Sequence, residues 1–149
     1  MRYKSWGLFP KVKSNGIVFS SISELQERIA LYKNYIPFGN GRSYGDSALN
    51  ETVIPMRQFN KILSFNEIDG TIELEAGVLL SEILDFCIPK GWFLKITPGT
   101  KLITVGGAIA SDVHGKNHHK AGSFGDHVLQ FTLARTDGSL MQYRPGDAL

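Results

Sequence analysis

The chain has 149 residues, 42% hydrophobic and 20% charged, with 16 basic and 14 acidic side chains and a net charge of +2. That length allows one domain with a buried core, and the near-balance of charge lacks the concentrated basic face of a nucleic-acid binder. Cys87 is the only cysteine, so an internal disulfide and a cysteine-based zinc site are excluded, and a reducing, cytoplasmic setting is expected.

The opening MRYKSWGLFPKVKSNG has basic residues but no apolar core, so no signal peptide is expected, and no run of about 18 apolar residues exists to span a membrane. Ser23 with Gln26 three positions on predicts a capping box opening a helix over 23–33, with Leu25, Ile29 and Leu31 or Tyr32 on one face. YIPFG reads as a short strand, and GNGRSYGDSALN after it as a polar, glycine-rich loop. TVIPM (52–56) reads as a strand. KILSFNEIDGTIELEAG reads as a hairpin turning at the two residues Asp69-Gly70. LLSEILDFCIPKG (79–91) reads as an amphipathic helix closed by Pro89 and Gly91. WFLKI reads as a further strand. The segment 97–125 reads as loops with one helical turn at most, and a connection that long is usually functional or disordered. HVLQFTLARTDGSLMQYR reads as a second hairpin with Asp137-Gly138 at its turn. The pattern is α+β with at least one βαβ-like unit.

The 16 glycines cluster at 39–45, 99–107 and 115–125. Glycine serves where backbone takes positive φ or approaches something closely. Composition leaves two readings open: backbone wrapped around a ligand, or a β-rich domain with many tight turns. In PFGNGRSYGD, Gly39, Gly41 and Gly45 do not follow the Rossmann or Walker spacing. Successive N–H groups in such a turn form a nest for phosphate oxygens, and Ser43 and Arg42 add donors. The alternative is a polar turn holding three glycines. In TVGGAIASDVHG, the residues Gly106, Gly107, Ala108 and Ser111 present little bulk, which suits either a flat aromatic ligand or close packing of two elements.

All four histidines fall in HGKNHHKAGSFGDH (114–127). His114 and His118 are spaced i,i+4, as on zinc-binding helices. Gly115, Lys116 and Asn117 argue against a helix there. Lys116 and Lys120 oppose a divalent cation, and the nearby carboxylates are Asp112 and Asp126 alone. No metal is expected, and His118, His119 and His127 are read as loop residues.

PFGNGRSYGDSAL resembles the pyrophosphate loop of the vanillyl-alcohol-oxidase type of FAD-dependent oxidases, which carry a PCMH-type FAD-binding domain. TPGT followed by TVGGAIASDVHGKNHHKAGSFGDHV is similar to one branch of that family, the decaprenylphosphoryl-β-D-ribose 2′-oxidases. The likeness runs from SWG near the N-terminus to TDGSL. It implies two small α+β subdomains with FAD between them: about 1–60, with the pyrophosphate loop, and about 61–149, incomplete at its C-terminal side. Gly39, Asn40, Gly41, Arg42, Ser43 and Tyr44 match the pyrophosphate loop. Pro98, Gly99, Thr100 and Thr104 match the segment lining the flavin, and Gly106, Gly107, Ala108, Ser111 and Asp112 the small-residue stretch along the cofactor. His114 and Gly115 match positions at the isoalloxazine, Lys116 a position on the substrate side, and Tyr44 one near the flavin's reactive face. His114, Lys116 and Tyr44 are therefore the candidate catalytic residues.

Relatives that attach FAD covalently often carry a histidine where this chain has Arg42, so non-covalent FAD is expected. The family reaction oxidises a sugar or polyol hydroxyl to a carbonyl, with hydride passing to the flavin and a base taking the hydroxyl proton. The family's chains are longer and add a substrate-binding cap domain. The sequence is therefore expected to be a partial FAD-binding domain, inactive alone and prone to self-association through exposed apolar surface. Two further readings stay open: an alditol or sugar-lactone oxidase flavin domain, and a non-catalytic flavin- or nucleotide-binding module working with a partner chain.

Overall fold

The computed structural model describes residues 3–147. Met1 and Arg2 of the basic start, and Ala148 and Leu149 at the other end, lie outside the described residues. Among the described residues, three small sheets and four short helices make up an α+β fold.

The first sheet is parallel. Strand β1 (Asn15–Gly16) and strand β2 (Ile36–Phe38) both pair with β3 (Thr52–Pro55), which lies between them. Helix α1 (Ile22–Ile29) joins β1 to β2, so the expected βαβ-like unit is present with a third strand in its middle. The helix cap is Ser21, not Ser23: its hydroxyl accepts from Glu24 N at 3.1 Å, and Glu24 reaches back to Ser20 N at 2.7 Å. The reciprocal pair is thus shifted two residues upstream, because Glu24 also lies one turn before Arg28 and pairs with it. Leu25 and Ile29 are buried with Ile17, Phe19 and Ile54 in a first core cluster. Leu31 and Tyr32 are exposed, since the helix ends at Ile29 and they fall off its apolar face.

A second core cluster gathers Val78, Leu80, Ile83, Cys87 and Val105. Strands β4 (Ile62–Phe65) and β5 (Ile72–Leu74) form an antiparallel hairpin beside it, and helix α2 (Leu80–Cys87) supplies its apolar stripe. Gly91 ends the short 3-10 turn after α2 with φ 80°. The β4–β5 turn is longer than two residues. Asn66 N pairs with Thr71 O at 2.9 Å, leaving Glu67–Gly70 as the loop. The Asn66 and Asp69 side chains accept from Ile68 N and Thr71 N, stabilising that wider loop.

WFLKI is not a strand. Trp92, Leu94 and Ile96 are spent on core packing, and no neighbouring strand pairs with their backbone. The segment 97–125 is more helical than expected: α3 (Val105–Ala110), α4 (His118–Ala121) and a 3-10 turn at Gly125–His127 fold within it. Strands β6 (Phe131–Ala134) and β7 (Leu140–Tyr143) form the final hairpin. Gln26 on α1 donates to Gly138 O at 2.6 Å, tying that hairpin's turn to the first core.

The two cores meet around Gly77. Arg57, just after β3, makes a two-pronged bond to Glu82 on α2 (2.7 and 2.8 Å) and also donates to Gly77 O. This pairing, with a Leu79 N–H bond, holds the Glu82 carboxyl below its usual range. A Cβ at Gly77 would overlap the carbonyl oxygens of Met56 and Phe59. Gly77→Ala is therefore expected to destabilise the chain by about 1–3 kcal/mol or more, by overpacking against backbone that cannot rotate away. Gly99→Ala, with open space at its Cβ, is expected to stay within about 0.5 kcal/mol of the parent. Urea unfolding of both variants checks the contrast, and equal midpoints would contradict it.

Candidate cofactor-binding site

The site is built from two glycine-rich segments that the fold presses together. The first is the loop after β2. Gly41 has φ 63° and Gly45 φ 56°, a region that side-chain-bearing residues rarely adopt. A Cβ on Gly41 would overlap the Lys4 carbonyl and sit 3.2 Å from the Phe38 ring. From Asn40 to Gly45, six consecutive backbone N–H groups have no acceptor among the described residues. Backbone donors left unpaired in a glycine turn form the concave nest that binds anions. Arg42 stands at its centre, its Nη1 donating to Asn40 O at 2.9 Å and its guanidinium stacked on Trp6 at 5.4 Å.

The second segment runs from Thr97 into α3. Gly39 meets Thr104 so closely that a Cβ on it would lie 2.6 Å from Thr104 Oγ1, and Asn40 Nδ2 donates to Leu102 O at 2.8 Å. Thr104 is buried and caps α3, accepting from Gly107 N at 3.2 Å. Val105 N and Gly106 N bond to Val78 O and Ala76 O, both at 2.8 Å. The first N–H groups of α3 are thus all used inside the protein, whereas those of Asn40 to Gly45 are unpaired among the described residues. Gly106 abuts Ala76, whereas Gly107 and Gly99 are exposed with no atom crowding a Cβ beyond Thr104 Oγ1 at Gly107. Ala108 is fully buried, so it packs against core. Thr100 accepts from Leu102 N at 3.2 Å and, with Pro98, is half-buried beside them.

The histidine-bearing stretch closes on itself beyond α3. His114 pairs across an antiparallel bridge with Ser123, and Phe124 N bonds to Val113 O at 2.9 Å. Asp112, at φ 39°, accepts from Gly125 N at 2.8 Å. That bond holds its carboxyl below the usual range, with smaller contributions from the Ser123 hydroxyl and nearby His114. Gly115 is buried, leaving its Cβ position 2.8 Å from Thr97 O, which anchors the stretch to the second segment.

His114 does not lie on a helix with His118, because α4 begins at His118; their rings nevertheless sit 5.1 Å apart. His118 Nδ1 donates to Gly115 O (3.2 Å) and His127 Nε2 to Ala121 O (2.8 Å), while His119 is exposed. Among the described residues no group of three His, Cys, Asp or Glu is placed to hold a metal ion.

The structure therefore brings Gly39 and Asn40 against Thr104 and Leu102 and sets Gly115 beside Thr97. It does not bring Tyr44 into a contact with these groups: its side chain is 80% exposed. Ser43 uses its carbonyl to accept from Trp6 N at 3.0 Å, and Ser111 and Lys116 are exposed. Sequence reasoning missed Trp6, Lys4 and Leu102, which act through a ring face and through backbone, and so leave no signature in residue spacing. A cavity of about 200 Å³ lies elsewhere, between Ile109, Gly125 and the β6–β7 hairpin. Of the residues above it touches only Gly125, and it is smaller than the roughly 300 Å³ at which ligand pockets begin.

An unpaired row of backbone donors, an arginine among them and small residues at an adjacent wall fit a dinucleotide with a pyrophosphate and a flat ring. A match to the family described as "FAD binding domain" spans residues 17–144. The chain belongs to that FAD-binding domain family. This FAD-binding domain is 42% identical over 115 residues to decaprenylphosphoryl-beta-D-ribose oxidase of Mycolicibacterium smegmatis, covering 76% of this chain and 25% of that protein. It is 23% identical over 151 residues to a putative D-arabinono-1,4-lactone oxidase of Neurospora crassa, covering 97% of this chain and 27% of that one. The fold matches a solved alkyldihydroxyacetonephosphate synthase with TM-score 0.76 at 23% identity, over 99% of this chain and 31% of that chain. The domain thus spans about a quarter of the length of these curated relatives. Among the described residues no helix is long and apolar enough to cross a membrane.

The Asp112 closure carries a pH prediction. A carboxyl depressed on folding stabilises fully above its unfolded value and loses that contribution as pH falls through the folded one. Amide-exchange protection at Gly125 is expected to hold at neutral pH and to fall only below about pH 4. Asp112→Asn is expected to lower it at neutral pH, and protection unchanged in both tests would contradict the closure.

Proposed function

We propose that this FAD-binding domain serves a flavin-dependent oxidoreductase that oxidises a sugar or polyol hydroxyl to a carbonyl, acting on a phosphoryl-linked ribose in the manner of decaprenylphosphoryl-ribose 2′-oxidases. The observation that carries the cofactor half of this reading is the row of unpaired N–H groups from Asn40 to Gly45 around Arg42. The 42% identity to decaprenylphosphoryl-beta-D-ribose oxidase supports the substrate half.

FAD, when bound, supplies hydride acceptance. The chain's own residues bind and position. The 39–45 loop holds the pyrophosphate through backbone donors and the Arg42 charge. The exposed backbone at Gly99 and Gly107 allows a flat ring to come within van der Waals contact. His114, exposed and held by the bridge to Ser123, is proposed to hold or move the substrate hydroxyl proton at its imidazole, with Lys116 beside it supplying positive charge. The rest of the substrate pocket is proposed to come from a cap domain, with residues about 1–60 and 61–149 forming the two halves that flank the cofactor. FAD is proposed to be held without a covalent bond, because a guanidinium, which stands where covalent relatives carry a histidine, is no nucleophile.

Acid precipitation of FAD-loaded protein is expected to release all flavin into the supernatant; yellow colour retained in the pellet contradicts non-covalent binding. A polyprenylphosphoryl ribose is expected to bleach the loaded holoenzyme anaerobically, and His114→Ala, measured with FAD saturating, to slow bleaching by about 100-fold or more. Faster bleaching by alditols or sugar lactones would replace this substrate assignment, and no bleaching by any sugar or polyol would overturn the oxidoreductase reading.

A further inference from the structure

We infer that Trp6 is a positioning residue that holds Arg42 in place for the cofactor's pyrophosphate; this rests on the reading of the 39–45 loop as the pyrophosphate site. Trp6 precedes the residues of the family match, which begin at 17.

The segment before β1 does not trail away. Tyr3 meets the Phe38 ring edge-on at 5.0 Å, the Lys4 carbonyl backs Gly41, and Trp6 N donates to Ser43 O at 3.0 Å. Ser5 is buried between them, its hydroxyl donating to Phe9 O at 3.2 Å. Tyr3, Lys4 and Trp6 thus back the glycine loop and the end of β2, and the indole of Trp6 is delivered to the Arg42 guanidinium at 5.4 Å.

One internal hydrogen bond and the contact with the Trp6 ring are what hold the arginine's pose. Arg42 Nε is buried and has no partner, and only Nη1 bonds to protein, at the Asn40 carbonyl. A buried cationic donor left unpaired is unfavourable, so a favourable contact must hold it there. The face-on indole is that contact. An arginine free in solvent must lose rotamer freedom when an anion binds; one already stacked has lost it beforehand, which raises affinity.

The test is a titration of the full chain with FAD in wild type, Trp6→Ala, Trp6→Phe, Arg42→Gln and the Trp6→Ala/Arg42→Gln pair. Arg42→Gln is expected to weaken FAD about ten-fold or more. Trp6→Ala is expected to weaken it about three- to five-fold, with Trp6→Phe restoring most of the loss and with no further loss in the Arg42→Gln background. Loss from Arg42→Gln with none from Trp6→Ala, or an equal loss from Trp6→Ala in both backgrounds, overturns the positioning role while the pyrophosphate reading stands. No loss from Arg42→Gln overturns the pyrophosphate role of Arg42 itself. A readout without ligand keeps the contact testable even in a chain that binds FAD weakly. The Arg42 Nε–H resonance is expected to be shifted upfield by the indole and to return to its ordinary position in Trp6→Ala, and an unshifted resonance in the parent overturns the inference.

Discussion

The close approach of Gly39 to Thr104 is the constraint on which the site depends. A side chain at 39 would strike the Thr104 hydroxyl, and that hydroxyl is already committed to capping α3. Thr104 is further fixed by its bridge to Leu79 at the start of α2. The glycine loop after β2 is therefore registered against the second core, through one missing Cβ and the Asn40–Leu102 hydrogen bond. Widening that gap would separate the loop that offers N–H groups from the segment that offers bare backbone.

The rest of the fold supports this contact from both sides. The first core holds β2, and hence the loop that leaves it, through packing of Leu25 and Ile29 on Ile17, Phe19 and Ile54. The second holds α2 and α3 through Val78, Leu80 and Val105. The polar tie between the two, Arg57 to Glu82, and the tie of the final hairpin to the first, Gln26 to Gly138, are partly exposed and contribute more to geometry than to free energy. Cys87 is buried among these apolar side chains, and burial pushes its thiol pKa up, which leaves it a packing residue rather than a reactive one.

Much of this was legible in one dimension. The glycine loop, β2, β3, α2 and both hairpins follow from periodicity and turn residues. What failed did so for identifiable reasons. WFLKI has strand propensity, yet its apolar side chains are consumed by core packing and its backbone finds no ladder partner. The Asp69-Gly70 turn is widened by Asn66 and Asp69 accepting from the local backbone, which residue types alone allow but do not require. Helix α3 contains Gly106-Gly107, a poor helix sequence, and forms because Gly106 must sit against Ala76. The four histidines drew attention by their number, but His118 and His127 are engaged with loop carbonyls. The aromatic partner of Arg42 lies 36 residues upstream of it, and only the fold brings the two together.

The 39–45 loop and the 99–107 segment are proposed to make one cofactor surface together. Amide chemical-shift mapping of the chain during an FAD titration tests it most directly. The largest shifts are predicted at Asn40–Gly45 and at Gly99, Thr100 and Gly107, moving together with one dissociation constant. Shifts confined to the β6–β7 hairpin, or two segments responding with different affinities, would contradict it.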